Sequence, residues 1–181
     1  MDLKSTFTVR RIVITGVLAA IAILLGVTRL GFIPVPNTTG SATIMHVPAI
    51  IGGVLEGPVV GLLIGGIFGV YSWLQDTTGL FKNPLVSVVP RLLIGVVAYY
   101  SYVAVKKTNE YAALIVAGVA GTLTNSILVV GALVGFGLIP AAVVPTIVPQ
   151  ALAEVVIAAV ITVAVVVAWK RLDTGAGKSS V

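Results

Sequence analysis

The chain has 181 residues, of which 58% are apolar and 9% are charged, and its mean hydropathy is +1.15. Soluble domains carry about a quarter charged residues, and most of their surface polarity comes from such side chains. Six acidic and eleven basic residues cannot cover a soluble protein of this length. The composition therefore predicts a protein that lies in a lipid bilayer.

The residue inventory also excludes several kinds of function. The net charge of +5 does not indicate a nucleic-acid surface, because the basic residues lie in small groups between apolar runs. The absence of cysteine and the single histidine exclude a disulfide framework, a thiol nucleophile and a multi-histidine metal centre. No catalytic motif is present, and we expect neither a cofactor nor a metal ion. The tail sequence Gly175-Ala176-Gly177-Lys178-Ser179 lacks the first glycine of a phosphate-binding loop, so ATP hydrolysis would require another subunit.

Three helices are predicted in the first half of the chain. The first covers about residues 11–30, which is roughly the length that spans a bilayer at about 1.5 Å per residue. A proline-rich polar segment over residues 34–40 forms a loop. A short second helix follows over about residues 42–55. The third begins at Pro58, where proline suits a first helical turn, and ends near Leu74.

Three more helices are predicted in the second half. A polar and aromatic loop over residues 75–83 precedes the fourth helix, which covers residues 84–105. The fifth covers residues 111–134. A glycine- and proline-rich connection over residues 135–149 leads to the sixth, which ends near Trp169. The sequence thus predicts an all-α integral membrane protein, a single domain over residues 1–181 with about six spanning helices and a short polar tail from about residue 172.

The distribution of lysine and arginine predicts the orientation in the membrane. Alternating helices place both termini, the turn at Glu56 and the loop at Lys106 on one side, together with most of the basic residues. The positive-inside rule therefore predicts cytoplasmic termini. The loops after the first, third and fifth helices then face outward.

Polar side chains inside apolar segments cost free energy to bury in a bilayer, and they usually have a functional or structural role. These residues are Arg91, Asn125, Gln150, Glu154 and, near the start of the second helix, His46. Two interpretations stay open. Arg91 and Glu154 form a structural ion pair with Asn125 bonding between helices, or these groups bind a ligand. For His46, local packing or a hydrogen bond is the simpler interpretation.

Small residues recur at four-residue spacing in the first and third helices. The third helix carries Gly57, Gly61, Gly65 and Gly69, and the first carries Gly16 and Ala20. Such stripes let two helix backbones approach closely. Packing within the protein is the ordinary explanation for them.

Three parts of the sequence stand out together: Gly16-Val17-Leu18-Ala19-Ala20 in the first helix, residues 42–53 with 55–61, and residues 83–95. Together they resemble the substrate-binding S components of energy-coupling factor (ECF) vitamin transporters. The resemblance implies a multi-pass protein of the plasma membrane that is not itself an enzyme. It also implies a membrane-embedded coupling subunit and two cytoplasmic ATPases as partners, and no nucleic acid.

The resemblance further implies where the vitamin binds, near the outer surface and under the loops after the first and third helices. We therefore expect the substrate site to contain Arg91, Asn125, Gln150, Glu154, His46, Asn83, Trp73 and Asn37. We expect Gly16, Ala20, Gly61 and Gly65 to contact the coupling subunit. Among the vitamins of the family we favour pantothenate, because Arg91 suits a carboxylate. Folate, riboflavin and pyridoxine stay open, as does a stand-alone channel or exporter.

Overall fold

The computed structural model describes residues 8–34 and 41–176. Asn37 and most of the loop predicted over residues 34–40 lie outside these residues. The described chain is a helical bundle with one small hairpin. Its elements are α1 (Val9–Val27), β1 (Phe32–Pro34), β2 (Ser41–Thr43), α2 (Val47–Glu56), α3 (Pro58–Leu74), α4 (Pro84–Ser87), α5 (Val89–Val105), α6 (Glu110–Gly135), a 3-10 turn (Ala141–Val143) and α7 (Val144–Ala176).

The prediction of six helical segments is confirmed. Within the described residues, four segments are long and apolar enough to cross a membrane, namely Val9–Val27, Pro84–Val105, Glu110–Gly135 and Ala141–Leu172. The second of these consists of α4 and α5 in succession. The two shorter apolar helices, α2 and α3, complete the six.

Proline and glycine set two of the boundaries. Gly57 has a φ of 101° between α2 and α3, a conformation that side chains with a Cβ rarely adopt, and Pro58 then begins α3. Pro90 stands in the first turn of α5 and has no N–H, so it cannot donate to the carbonyl of Val86 one turn earlier. The fourth span is therefore interrupted between Ser87 and Val89, where the sequence predicted one continuous helix.

A hairpin replaces the predicted start of the second helix. Strands β1 and β2 pair antiparallel, with Phe32 opposite Thr43. The N–H of Ile44 donates to the carbonyl of Gly31 at 2.9 Å, which extends the pairing by one step. Helix α2 consequently begins at Val47.

Helix α2 lies at the centre of the bundle. All residues from Val47 to Val54 are buried, and the helix contacts α1, α3, α5, α6 and α7. Helix α1 lies at the edge and exposes many large apolar side chains, among them Val13, Val17 and Leu24. Such a face is suited to contact with a bilayer or a partner subunit, because a large exposed apolar surface is unfavourable in water.

Ionic contacts tie the helix ends together on one side of the bundle. Glu56 at the end of α2 accepts from Arg10 at 3.2 Å and lies 3.6 Å from Arg11. Glu110 at the start of α6 pairs with Lys170 of α7, and both bond the hydroxyl of Tyr102. These contacts agree with the alternation of helix directions predicted from the sequence.

The glycine stripe of α3 packs against α5 inside the protein. A Cβ at Gly61 would lie 2.8 Å from the Cα of Gly95, and a Cβ at Gly65 would overlap the carbonyl of Arg91. Both glycines are buried. The expectation that Gly61 and Gly65 face a coupling subunit is therefore wrong, because α5 already occupies that face. The ordinary explanation, packing within the protein, is confirmed.

The small residues of α1 are placed differently. Gly16 is exposed and a Cβ there would meet nothing within 4 Å. Ala20 is also exposed. These two residues, unlike the stripe of α3, lie on a surface that another helix could approach.

Candidate functional site

A cavity of about 880 Å³ opens at the end of the bundle opposite the ionic contacts. Its size is within the range of about 300 to 1,000 Å³ typical of small-molecule sites. The end of α1, the β1–β2 hairpin, the second half of α3 and the loop over residues 75–83 form its walls. Arg91 of α5 and Asn125 of α6 reach it from inside the bundle, and both are buried.

The guanidinium of Arg91 is held by the interruption between α4 and α5. Its Nη1 donates to the carbonyl of Val86 at 2.7 Å. This carbonyl is the one that Pro90 leaves without a helical donor. A single proline thus both breaks the helix and creates the acceptor that orients the arginine.

Two aromatic rings flank the same guanidinium. Its Cζ lies 5.7 Å from the centroid of Phe68 and 5.0 Å from that of Phe81. Both distances are within the range of cation–π attraction. Packing of Gly65 against the backbone of Arg91 lets α3 bring Phe68 this close. The charge is therefore fixed by packing on both sides.

No ion pair neutralises Arg91 among the described side chains. The structural pair with Glu154 that the sequence left open is not formed, because Glu154 bonds the N–H of Thr43 and the amide of Gln150 instead. The Nε of Arg91 has no hydrogen-bond partner in the described part of the chain. A buried cation of this kind needs an anion or another acceptor.

Asn125 presents a complementary group to the same cavity. Its Oδ1 is buried and has no partner among the described residues. Most buried polar atoms in proteins are hydrogen-bonded, so an unpaired atom needs an explanation. Because Arg91 and Asn125 both line the cavity, a guanidinium and a side-chain amide together suit a ligand that has both an acceptor and a donor.

The loop over residues 75–83 is ordered by one carboxylate. Asp76 accepts from the hydroxyl and the N–H of Thr78 at 2.6 and 2.9 Å and from the N–H of Phe81 at 3.1 Å. The hydroxyl of Ser87 donates to the carbonyl of Phe81 at 2.8 Å. Desolvation by itself would raise the pKa of Asp76, but these hydrogen bonds outweigh it and lower the pKa below its ordinary value. Phe81 is thus held from both sides where it meets Arg91.

His46 is buried in the bundle and does not line the cavity. The hydroxyl of Thr122 lies 2.8 Å from the carbonyl of Gly118 and 2.9 Å from His46 Nε2. This second contact connects His46, just before α2, to α6. The local hydrogen bond, not ligand binding, is the interpretation that this geometry supports.

Four other predicted site residues also lie off the described cavity wall. Trp73 donates to the carbonyl of Lys82 at 2.9 Å, and Asn83 caps α4 by accepting from Leu85 at 3.0 Å. Gln150 and Glu154 bond each other at 2.9 Å on α7. The structure thus gives these four residues contacts within the protein and does not place them on the cavity wall.

The sequence missed several residues that do line the cavity. Phe68 and Phe81 gave no signal beyond general hydrophobicity, and Thr43 lay in a segment predicted to be helical. Nothing in the sequence singled out Arg29. In the structure its φ of 59° is the one positive value among the described non-glycine residues. It stands just after α1, at a position that usually prefers glycine, and lines the cavity. Strained backbone of this kind is enriched at functional sites.

The family described as ECF transporter, substrate-specific component matches residues 10–166 of the chain. The chain belongs to this family. The match covers α1 to α6 and most of α7, and so includes every wall of the cavity. This ECF component is therefore a multi-pass protein of the plasma membrane and a substrate-specific component of the ECF type.

One relative carries a name that refers to a substrate. The pantothenic acid transporter PanT of Lactococcus lactis subsp. cremoris (strain MG1363) is 28% identical to this ECF component over 107 residues. These residues are 48% of the present chain and 53% of the relative, so the chain spans about half the length of the protein it matches.

Proposed function

We propose that this S component binds pantothenate and delivers it to an ATP-driven importer. The observation that carries the proposal is Arg91, a buried cation on the cavity wall with no carboxylate partner among the described side chains. A small vitamin with one carboxylate supplies the missing charge. The name of the relative from Lactococcus lactis supports the same choice.

The rest of pantothenate suits the rest of the cavity. Its amide and hydroxyl groups offer hydrogen-bonding partners to the side-chain amide of Asn125, which lines the cavity. Its gem-dimethyl group suits the apolar side chains of Met45 and Tyr71, which line the cavity. Anchoring by a few polar groups within an apolar lining is the usual design of a small-molecule site.

Import requires partners that the chain does not contain. We propose a membrane-embedded coupling subunit that contacts the face of α1 with Gly16 and Ala20, and two cytoplasmic ATPases that drive the cycle. Copurification of these subunits with the tagged protein, and loss of uptake without them, would support an ECF cycle. Uptake by the isolated protein in vesicles would support a stand-alone channel instead.

The identity of the vitamin is tested by releasing the native ligand. The protein is purified from cells without added vitamin, denatured, and the extract is analysed by mass spectrometry. We expect pantothenate at near-stoichiometric amount. Recovery of folate, riboflavin or pyridoxine in its place would contradict the assignment and leave the family assignment intact.

A further inference from the structure

Glu154 is a buried carboxylate whose role the binding of an anion does not explain. Its side chain lies on α7, and the residue is 5% exposed. A carboxylate placed next to the carboxylate of pantothenate would repel it. The contacts of Glu154 point elsewhere: its Oε1 accepts from the backbone N–H of Thr43 at 2.7 Å and from the amide of Gln150 at 2.9 Å.

The bond to Thr43 fastens the hairpin to the bundle. Strands β1 and β2 have three residues each, and an isolated hairpin is marginally stable at best. Thr43 and its partner Phe32 both line the cavity. An anchor at Thr43 therefore fixes one whole wall of the site.

A carboxylate is well suited to this task inside a bilayer. A backbone N–H without a partner is costly where water is excluded, and hydrogen bonds to a charged acceptor are stronger than those between neutral groups. Gln150 lies one turn before Glu154 on α7, and its amide gives the same oxygen a second donor. The hydrogen bond from Gln150 thereby orients the carboxylate oxygen that accepts from the hairpin.

The geometry points to Glu154 as a positioning residue that holds β2 against α7, and so sets how long the vitamin stays in the cavity without touching it. This inference rests on the proposed function only for the dwell time. The fastening itself is a property of the ligand-free protein and can be measured there.

The first measurement is amide exchange at Thr43 in the ligand-free protein, read by mass spectrometry with electron-transfer fragmentation. Glu154→Met keeps the volume of the side chain and removes the acceptor, so exchange at Thr43 should rise on the order of tenfold or more. Glu154→Gln keeps an oxygen acceptor but loses the charge, so its exchange should lie between those of wild type and Glu154→Met. Leu152→Ala, an exposed position two residues earlier on α7, is the matched control.

The second measurement is stopped-flow binding of pantothenate. Glu154→Met should raise the dissociation rate on the order of tenfold with little change in the association rate, and Glu154→Gln should have a smaller effect. Equal damage by both variants would overturn the inference, because an oxygen acceptor at position 154 would then make no difference. The inference would also be overturned if the amide of Thr43 in wild type exchanged as fast as an unstructured amide. This result does not depend on any variant folding. If wild type binds no pantothenate, the proposed function fails while the exchange measurement still decides the role of Glu154.

Discussion

Arg91 donates to the carbonyl of Val86 at 2.7 Å, five residues before it and across the break between α4 and α5. The bond replaces the helical hydrogen bond that Pro90 cannot make. Arg91 therefore has two tasks, satisfying a buried carbonyl and presenting a cation to the cavity. Experiments on this residue must separate the two.

Replacing Pro90 offers that separation. Arg91→Ala leaves the Val86 carbonyl unpaired, so we expect a loss of about 1 to 3 kcal/mol in the free energy of unfolding. Adding Pro90→Ala supplies a backbone N–H for the same carbonyl and should recover part of that loss. Pantothenate binding should not return with it. Thermal unfolding in detergent and calorimetry on the two variants provide the comparison, and recovery of both properties would contradict a direct role for Arg91.

Phe81 should contribute to affinity through the cation it covers. Phe81→Leu removes a ring 5.0 Å from the guanidinium while keeping an apolar side chain. We expect pantothenate affinity to fall by about 0.5 to 2 kcal/mol, the range of cation–π contacts. Phe136→Leu is the control, since Phe136 is exposed and not on the cavity wall. Equal effects of the two changes in calorimetry would count against the cation–π contact.

Two glycine substitutions should act on different steps. Gly65→Ala introduces a Cβ that overlaps the carbonyl of Arg91, so α3 and α5 must separate and both stability and binding should fall.

A Cβ added at Gly16, by contrast, meets no other atom of the protein, so Gly16→Leu should not disturb the packing around it. We expect Gly16→Leu to abolish uptake while pantothenate binding to the isolated subunit persists. We expect the same two results for Ala20→Leu. Normal uptake by both α1 variants would exclude this face as the contact with the coupling subunit.

The loop over residues 75–83 should respond to acid through Asp76. Because the folded-state pKa is below the ordinary value of 3.8, this carboxylate stabilises the fold above that value and ceases to do so as the pH falls through the folded-state pKa. The difference in melting temperature between wild type and Asp76→Asn, measured without ligand, should thus be largest near neutral pH and shrink below about pH 4. A difference that grows on acidification would show the opposite linkage.

Much of the fold followed from local sequence patterns. Apolar run length gave the six segments, and Pro58, Pro84 and the polar loop over residues 75–83 marked boundaries that the structure confirms. These signals are local, because bilayer thickness fixes helix length and proline fixes the first turn.

The site could be predicted only in part, because its contacts are long-range. Intramembrane polarity singled out Arg91 and Asn125, and both line the cavity. It could not show that Glu154 would bond the backbone of Thr43, 111 positions away. The hairpin was missed because two three-residue strands are too short for an alternation signal. A stripe of glycines likewise does not state whether its partner helix belongs to the same chain.

Panthenol provides the sharpest test of whether Arg91 binds the carboxylate of pantothenate. Panthenol carries a neutral alcohol in place of the carboxylate and is otherwise the same molecule. Calorimetry of both ligands against wild type, Arg91→Ala and the control Lys82→Ala forms a cycle in which general loss of folding cancels. We predict that wild type and Lys82→Ala prefer pantothenate by about 2 kcal/mol or more, and that Arg91→Ala loses this preference. An undiminished preference for pantothenate in folded Arg91→Ala would contradict the claim.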